Sequence, residues 1–415
     1  MKFITSFFSR LYQYATAFIV IGAPLFFIPK TGFTPDSTYY ITMTMLVAIA
    51  LVSYVITALL TRTWHSLSRL EFISYFAFSL AVLLSVVFAK NQRLTLFGEV
   101  FDQFSAVSLL SLPAIMYLVR TLPDTLRNKL KFVIVTLLSV SALIFVTALM
   151  HTGTVTGFTK QIFSGFANPI SLSVYIGLFA VACLFFVFKG AVPKKHKVAI
   201  AITSLLFFAW AIALSTQDSV RPSFTSTMLV GKNVMLNEGV FGIGAGNFMR
   251  AWQLYRPESV IASPYFGYDF TQGSATVTTF FVTVGIVGVL AFLMLVLSAL
   301  YSTIVSFRQN PSGKEHFILG LLSAVLVYFF VISWLVPISY SMLVVWLVVS
   351  GLGLAKARLS EYHPSKKIAF LMVPVACILL ANMILTINKV RAFAIYNTAQ
   401  SVASTGDVGP YIEKA

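Results

Sequence analysis

Long apolar stretches recur along the chain, separated by short polar breaks. Runs near 11–28, 38–60, 70–89, 104–120, 132–150, 169–188, 198–215, 276–306, 317–335, 338–355 and 368–388 approach the length that spans a membrane. A hydrocarbon core of about 30 Å needs roughly 20 apolar residues in a helix. Backbone groups in lipid must be satisfied within the segment itself, so helices follow rather than open strands. The pattern predicts an all-α, polytopic membrane helix bundle with about eleven transmembrane helices. Pro337 either separates two helices or kinks one. The first run is no cleavable signal, because no small-residue cleavage site follows it.

Composition supports this picture. Of 415 residues, 58% are hydrophobic and only 10% charged, with a mean hydropathy of +0.89. Soluble domains carry about 25% charged residues, and disorder requires low hydrophobicity, so both classes are excluded. Cys183 and Cys377 lie inside apolar runs, which excludes a disulfide framework and a cysteine-based zinc site. The formal charge of +16 raises the question of nucleic acid. Its distribution answers it. With the N-terminus in the cytoplasm, 18 of the 29 basic residues fall in inside segments. That bias follows the positive-inside rule, and anionic lipid accounts for the excess charge. No basic stripe is left for a nucleic acid. Eleven spans would put the C-terminus outside.

One outside segment dominates, the external loop 216–275, which is expected to cap a cavity. Asp218, Glu238, Glu258 and Asp269 balance Arg221, Lys232, Arg250 and Arg256, so its net charge is zero. A long loop in a compact bundle is usually functional. This one is rich in aromatics, among them Phe241, Trp252, Tyr255, Tyr265 and Tyr268, a composition that suits the membrane–water interface. A helical pattern runs from Ser226 to Asn237, with Met228, Leu229, Met235 and Leu236 as apolar positions, and stops at Glu238-Gly239. A glycine turn follows, GVFGIGAGNF at 239–248, in which Gly244, Gly246 and Asn247 stand out. The spacing is that of neither a dinucleotide fingerprint nor a phosphate-loop NTPase. Exposed N–H groups there can bind an anion, though a plain tight turn between helices accounts for the same residues. Arg221, Arg250 and Arg256 suit bidentate phosphate binding as a group. Each singly also reads as surface charge paired with an acid.

Histidines add nothing: His65, His196, His316 and His363 fall in inside connections, and His151 at the outer end of a span. No metal-ligand spacing, GxSxG or catalytic triad emerges. Charge within the spans is scarce, which weakens an ion-coupled transporter.

Four segments, in order, resemble the O-antigen ligase and polymerase-like family of bacterial membrane glycosyltransferases. They are FSGFANPISLSVYIGL (163–178), VRPSFTSTMLVGKNVMLNEGVFGIGAGNF (220–248), YRP (255–257) and TFFVTVGIVGVLAFL (279–293); Arg93 with Phe97-Gly98-Glu99 adds an outer-loop match. The resemblance implies transfer of a glycan from an undecaprenyl-diphosphate carrier, at the outer face of the bacterial plasma membrane, to a lipid, glycan or protein acceptor. It implies no metal, nucleotide or other cofactor, and only membrane lipids as further partners. Arg221 first, then Arg256, with Arg250 beside them, would bind the diphosphate. The sequence departs from the family where an upstream His-Asn reads Ser274-Ala275 and the Glu reads Thr283. A hydroxyl is no base at neutral pH without help, so Asp269 or Glu258 would take the proton. A lipid-linked glycan flippase and a non-catalytic scaffold stay open as alternatives. The membrane domain is expected over 1–391. The tail, 392–415, reads as a frayed amphipathic end or the opening of a tetratricopeptide-like helix pair.

Overall fold

The computed structural model describes residues 2–23, 35–65, 67–98, 103–131, 133–134, 136, 169–188, 197–198, 200–206, 208–209, 220–261, 263–309, 313–353 and 366–403. These residues are helical apart from their turns, and no strand occurs among them. The helices are α1 (Lys2–Gly22), α2 (Pro35–Thr61), α3 (Arg69–Val87), α4 (Gln92–Phe97), α5 (Ala106–Thr121), α6 (Pro169–Phe188) and α7 (Phe224–Asn237). There follow α8 (Phe248–Tyr255), α9 (Glu258–Ile261), α10 (Thr276–Thr283), α11 (Gly285–Gln309), α12 (Gly313–Leu335), α13 (Tyr340–Leu352) and α14 (Lys366–Ala403).

The expected count of about eleven spans does not hold among the described residues. Five helices are long and apolar enough to cross a membrane, or six if one bent pair counts as a span. Several apolar helices of this kind are consistent with a multi-pass membrane protein. The difference has physical causes. The run 276–306 is broken at Val284-Gly285 into α10 and α11. Helix α13 has 13 residues, about 20 Å of helix. Helix α5 turns by 113° into the short helix Asp124–Lys131. The runs 132–150 and 198–215 fall largely outside the described residues.

Helices α5 and α13 form the centre. Every residue of both is buried, and they pack against each other while α1, α2, α3, α11, α12 and α14 surround them. Their solvent is protein, not lipid. Hydroxyls therefore find partners there: Ser111 and Tyr340 pair at 2.8 Å. Pro337 does separate two helices, α12 and α13. The break is satisfied by one residue of α10. Thr276 Oγ1 accepts from Ile338 N at 2.8 Å, and Val336 O accepts from Thr276 N at 3.2 Å. Irregular backbone at membrane depth survives only with such internal partners.

Side-chain contacts mark two ends of the bundle: Lys90, Thr95 and Phe97 meet Glu238, Asn247 and Lys389 at one, and Glu71 meets Arg120 and Ser302 at the other. The described residues 88–98, 103–105, 220–261 and 263–276 sit at the first, the loop end. Residues 62–65 and 67–68, the end of α5, the end of α11 and the start of α12 sit at the far end, together with Arg62, Arg69, Arg127, Lys129, Arg308 and Lys314. Helix α14 runs without interruption through the expected boundary at 391; residues 404–415 lie outside the described set.

The far end holds a buried ion pair that charge spacing alone did not suggest. Arg120 of α5 donates Nη1 to Glu71 of α3, with both side chains almost fully enclosed. Glu71 also accepts from Ser68 N and Ser68 Oγ, closing the N-terminus of α3, and from Ser302 Oγ of α11. One carboxylate thus joins three helices.

Candidate functional site

The loop end is built on α7, α8 and α10, which pack against one another. Helix α7 starts where Ser223 Oγ accepts from Ser226 N at 3.0 Å. The helix lies where the sequence pattern puts it, but its buried face is Thr227, Val230, Gly231 and Val234. Met228, Leu229, Met235 and Leu236 point outward instead, a face suited to lipid headgroups and acyl chains. Val230 and Val234 pack with Ile243, Phe248, Ala251, Trp252 and Val282 in a small core of their own.

The glycine turn 239–247 locks this unit to the break between α10 and α11. Ile243 N donates to Val282 O at 3.1 Å and Gly244 N to Thr283 O at 2.9 Å. Gly242 N and Asn247 N also donate inside the turn, to Gly239 O and Gly244 O. Four of the turn's N–H groups are thus engaged by the protein itself. Gly242 and Gly285 both have positive φ, and their backbones lie so close that a Cβ on either would overlap the other. The Asn247 side chain is buried and donates Nδ2 to Thr95 Oγ1 of α4 at 2.7 Å. Lys90 pairs with Glu238 at 2.7 Å, Tyr255 OH donates to the same carboxylate at 3.2 Å, and Phe88 stacks on Phe241 at 4.6 Å. Burial and the Glu238 carboxylate push the Tyr255 phenol above its usual pKa.

The candidate residues fare differently within this frame. Arg221 precedes α7 and is half-buried; its Nη1 is shut off from solvent without a hydrogen-bond partner. Arg250 is half-buried on α8. Arg256, at the end of α8, donates to Phe266 O at 2.7 Å and lies over the Phe266 ring at 4.3 Å, so it holds its own loop. Glu258 begins the short helix α9, and both it and Asp269 are exposed. Ser274 is buried: its N–H donates to Thr227 Oγ1 at 3.1 Å, and its hydroxyl pairs with Thr278 at 3.1 Å. Asp218 and Glu99 lie outside the described residues. Among the described residues no three His, Cys, Asp or Glu side chains come together as a metal-holding group.

A scan against protein-family models and a search of curated proteins return no match for the chain.

Two features of this end go beyond what the sequence showed of their residues. The indole of Trp252 is enclosed against Phe270, at 4.9 Å edge to face, with Nε1 buried and unpartnered. Its apolar setting on α8 was visible in the sequence, but no linear signal tells a satisfied indole N–H from an orphan one. The second is the hydroxyl run Ser274, Thr276, Thr278 and Thr279, which ties 273–279 to α7 and to the α12–α13 break. Together the geometry offers an apolar helix face for a membrane, a half-buried guanidinium with unused bonding capacity, and exposed carboxylates on the adjoining loop.

Proposed function

We propose that the protein transfers a glycan from an undecaprenyl-diphosphate carrier to an acceptor hydroxyl at the outer face of a bacterial plasma membrane, with the N-terminus in the cytoplasm. The observation that carries this reading is Arg221, whose buried Nη1 has no partner although it adjoins an outward apolar helix face. A buried guanidinium N–H without an acceptor is costly, and a diphosphate oxygen would supply that acceptor in bidentate geometry. Arg250, one helix further on, adds positive potential. In the reaction the acceptor oxygen bonds to the anomeric carbon as the bond from that carbon to the diphosphate oxygen breaks. Undecaprenyl diphosphate leaves with its charge stabilised by Arg221. The acceptor proton passes to Asp269 or Glu258. Ser274 stands where the resembled family has its histidine, and its hydroxyl is already paired with Thr278.

Replacing Arg221 by Ala or Lys is expected to lower transfer about 10²–10³-fold, the scale for removing one preorganised donor to a developing anion. Release of undecaprenyl diphosphate by the purified protein in nanodiscs measures it, with the unfolding midpoint as control for integrity. Full activity in both variants removes the diphosphate role. For the proton, Asp269→Asn is expected to slow transfer by at least about tenfold, within the usual range for a general base. An unchanged Asp269→Asn with a slowed Glu258→Gln moves the role to Glu258; two unchanged rates leave no carboxylate base.

A further inference from the structure

The outer side of α7 is a surface that water does not suit. Phe224, Met228, Leu229, Met235 and Leu236 are each between 37% and 69% exposed. At about 3.6 residues per turn they fall on one side of the helix, opposite the buried Thr227, Val230 and Val234. Contiguous exposed apolar side chains of this kind mark a contact with membrane or with protein. Two observations choose the membrane. The first is continuity. Helix α11 carries an exposed apolar stripe, Ile286, Leu290, Met294, Leu297 and Tyr301, and α3 carries one that ends in Leu80, Val87 and Phe88. Both helices are long and apolar enough to cross a membrane. The stripes meet at Val240-Phe241, just beyond α7. The backbone of exposed Val240 abuts Gly285, the residue before Ile286, and Phe88 stacks on Phe241 at 4.6 Å. Leu236 stands in the last turn of α7, directly before this junction. The surface that acyl chains would cover on α3 and α11 thus leads onto the outer side of α7.

The second observation is Lys232, which stands in the middle of that apolar side. It is three or four residues from each of Met228, Leu229, Met235 and Leu236, so these four are its neighbours on the helix surface. The lysine is exposed, and among the described residues no carboxylate pairs with it. Glu238, the acid nearest in sequence, is taken up by Lys90. A protein laid over this side would have to bury the ammonium or bring an acid to it. A bilayer surface asks for neither. The lysine stem lies among its apolar neighbours while the ammonium rises to the level of the phosphates.

We propose that α7 lies in the plane of the bilayer at the loop end, with its apolar side among the acyl chains and Lys232 on the phosphate of an anionic phospholipid. The loop end is then seated in the leaflet rather than held above it. The inference rests on the chain spanning a membrane and not on the proposed transfer, and its test reads lipid contact without turnover.

The experiment uses the full chain with Cys183→Ala and Cys377→Ala, in nanodiscs holding one copy or two. A bimane label is attached through Leu229→Cys or Leu236→Cys, with Met228→Cys as a third position should either label disturb the fold. Lipids with a nitroxide on the acyl chain are expected to quench these labels more than aqueous iodide does. Raising the fraction of phosphatidylglycerol in phosphatidylcholine is expected to shift the emission to the blue until it saturates. The fraction needed for half the shift is expected to rise about fivefold in Lys232→Gln, the effect of one basic residue beside an anionic surface, and to return in Lys232→Arg. Stronger quenching by iodide places the side in water and overturns the proposal. Shielding from both quenchers overturns it in favour of a protein cover, and of a second copy if the shielding appears only with two copies per disc. No shift with phosphatidylglycerol, or the same shift in Lys232→Gln, overturns it as well.

Discussion

Arg120→Met is expected to destabilise the protein by about 3–5 kcal/mol, because it strands the buried Glu71 carboxylate without its counter-charge. Glu71→Gln strands the guanidinium instead and is expected to fall in the same range. The effect on Glu71 variants includes more than charge. The carboxylate also caps α3 through Ser68 and reaches Ser302 on α11, so three helices loosen together. Glu71→Gln with Arg120→Met removes both charges. Its midpoint is expected to recover most of the loss, since a matched buried pair contributes little net stability over neutral groups of similar volume. Thermal unfolding of the four proteins in one detergent gives the coupling directly. Single variants that melt within a degree or two of the parent would deny the pair its role between helices.

Gly285→Ala is expected to cost about 2–5 kcal/mol, combining a left-handed backbone with a backbone overlap. At Gly285 φ is +74°, and an added Cβ would stand 2.0 Å from Val240 O and 2.6 Å from Gly242 N. Neither atom belongs to a side chain that can rotate away. Gly239 supplies the control. Its φ is +95° but nothing lies within 4 Å of its missing Cβ, so Gly239→Ala is expected to lose only the conformational part, about 1–2 kcal/mol. Unfolding midpoints separate the two, and proteolysis of residues 224–276 should become faster only in Gly285→Ala. Equal losses at both positions would mean that the contact between the glycine turn and the α10–α11 break carries no weight.

The helical class, the long spans α2 and α3, and the helix ending at Asn237 were all legible in the sequence, because α2 and α3 are continuous apolar runs of spanning length and α7 ends at a glycine stop. The number of spans was not. Apolarity says that a residue avoids water; it does not say whether lipid or protein replaces the water, and α5 and α13 are apolar because protein surrounds them. Gly285 inside a long apolar run reads as a tolerated glycine, and only its positive φ reveals the break. The loop helix α7 was foreseen, but not which side it buries: its four large apolar residues take the outer surface, and Gly231 is buried where α7 approaches α10 closely. The pair Arg120–Glu71 joins residues far apart in sequence, beyond the reach of any spacing rule. At the candidate site the three arginines were chosen as one group. Their surroundings divide them: Arg256 is taken up by Phe266, while Arg221 alone keeps a buried donor unused.

The crown of the loop end is fastened at separate points: Lys90 to Glu238, Phe88 to Phe241, Asn247 to Thr95, and the glycine turn to the end of α10. Lifting it like a lid would break all of these at once. If the proposed transfer is right, a carrier would reach this end sideways, through the seams between helices, with its isoprenoid tail dissolved in the bilayer throughout.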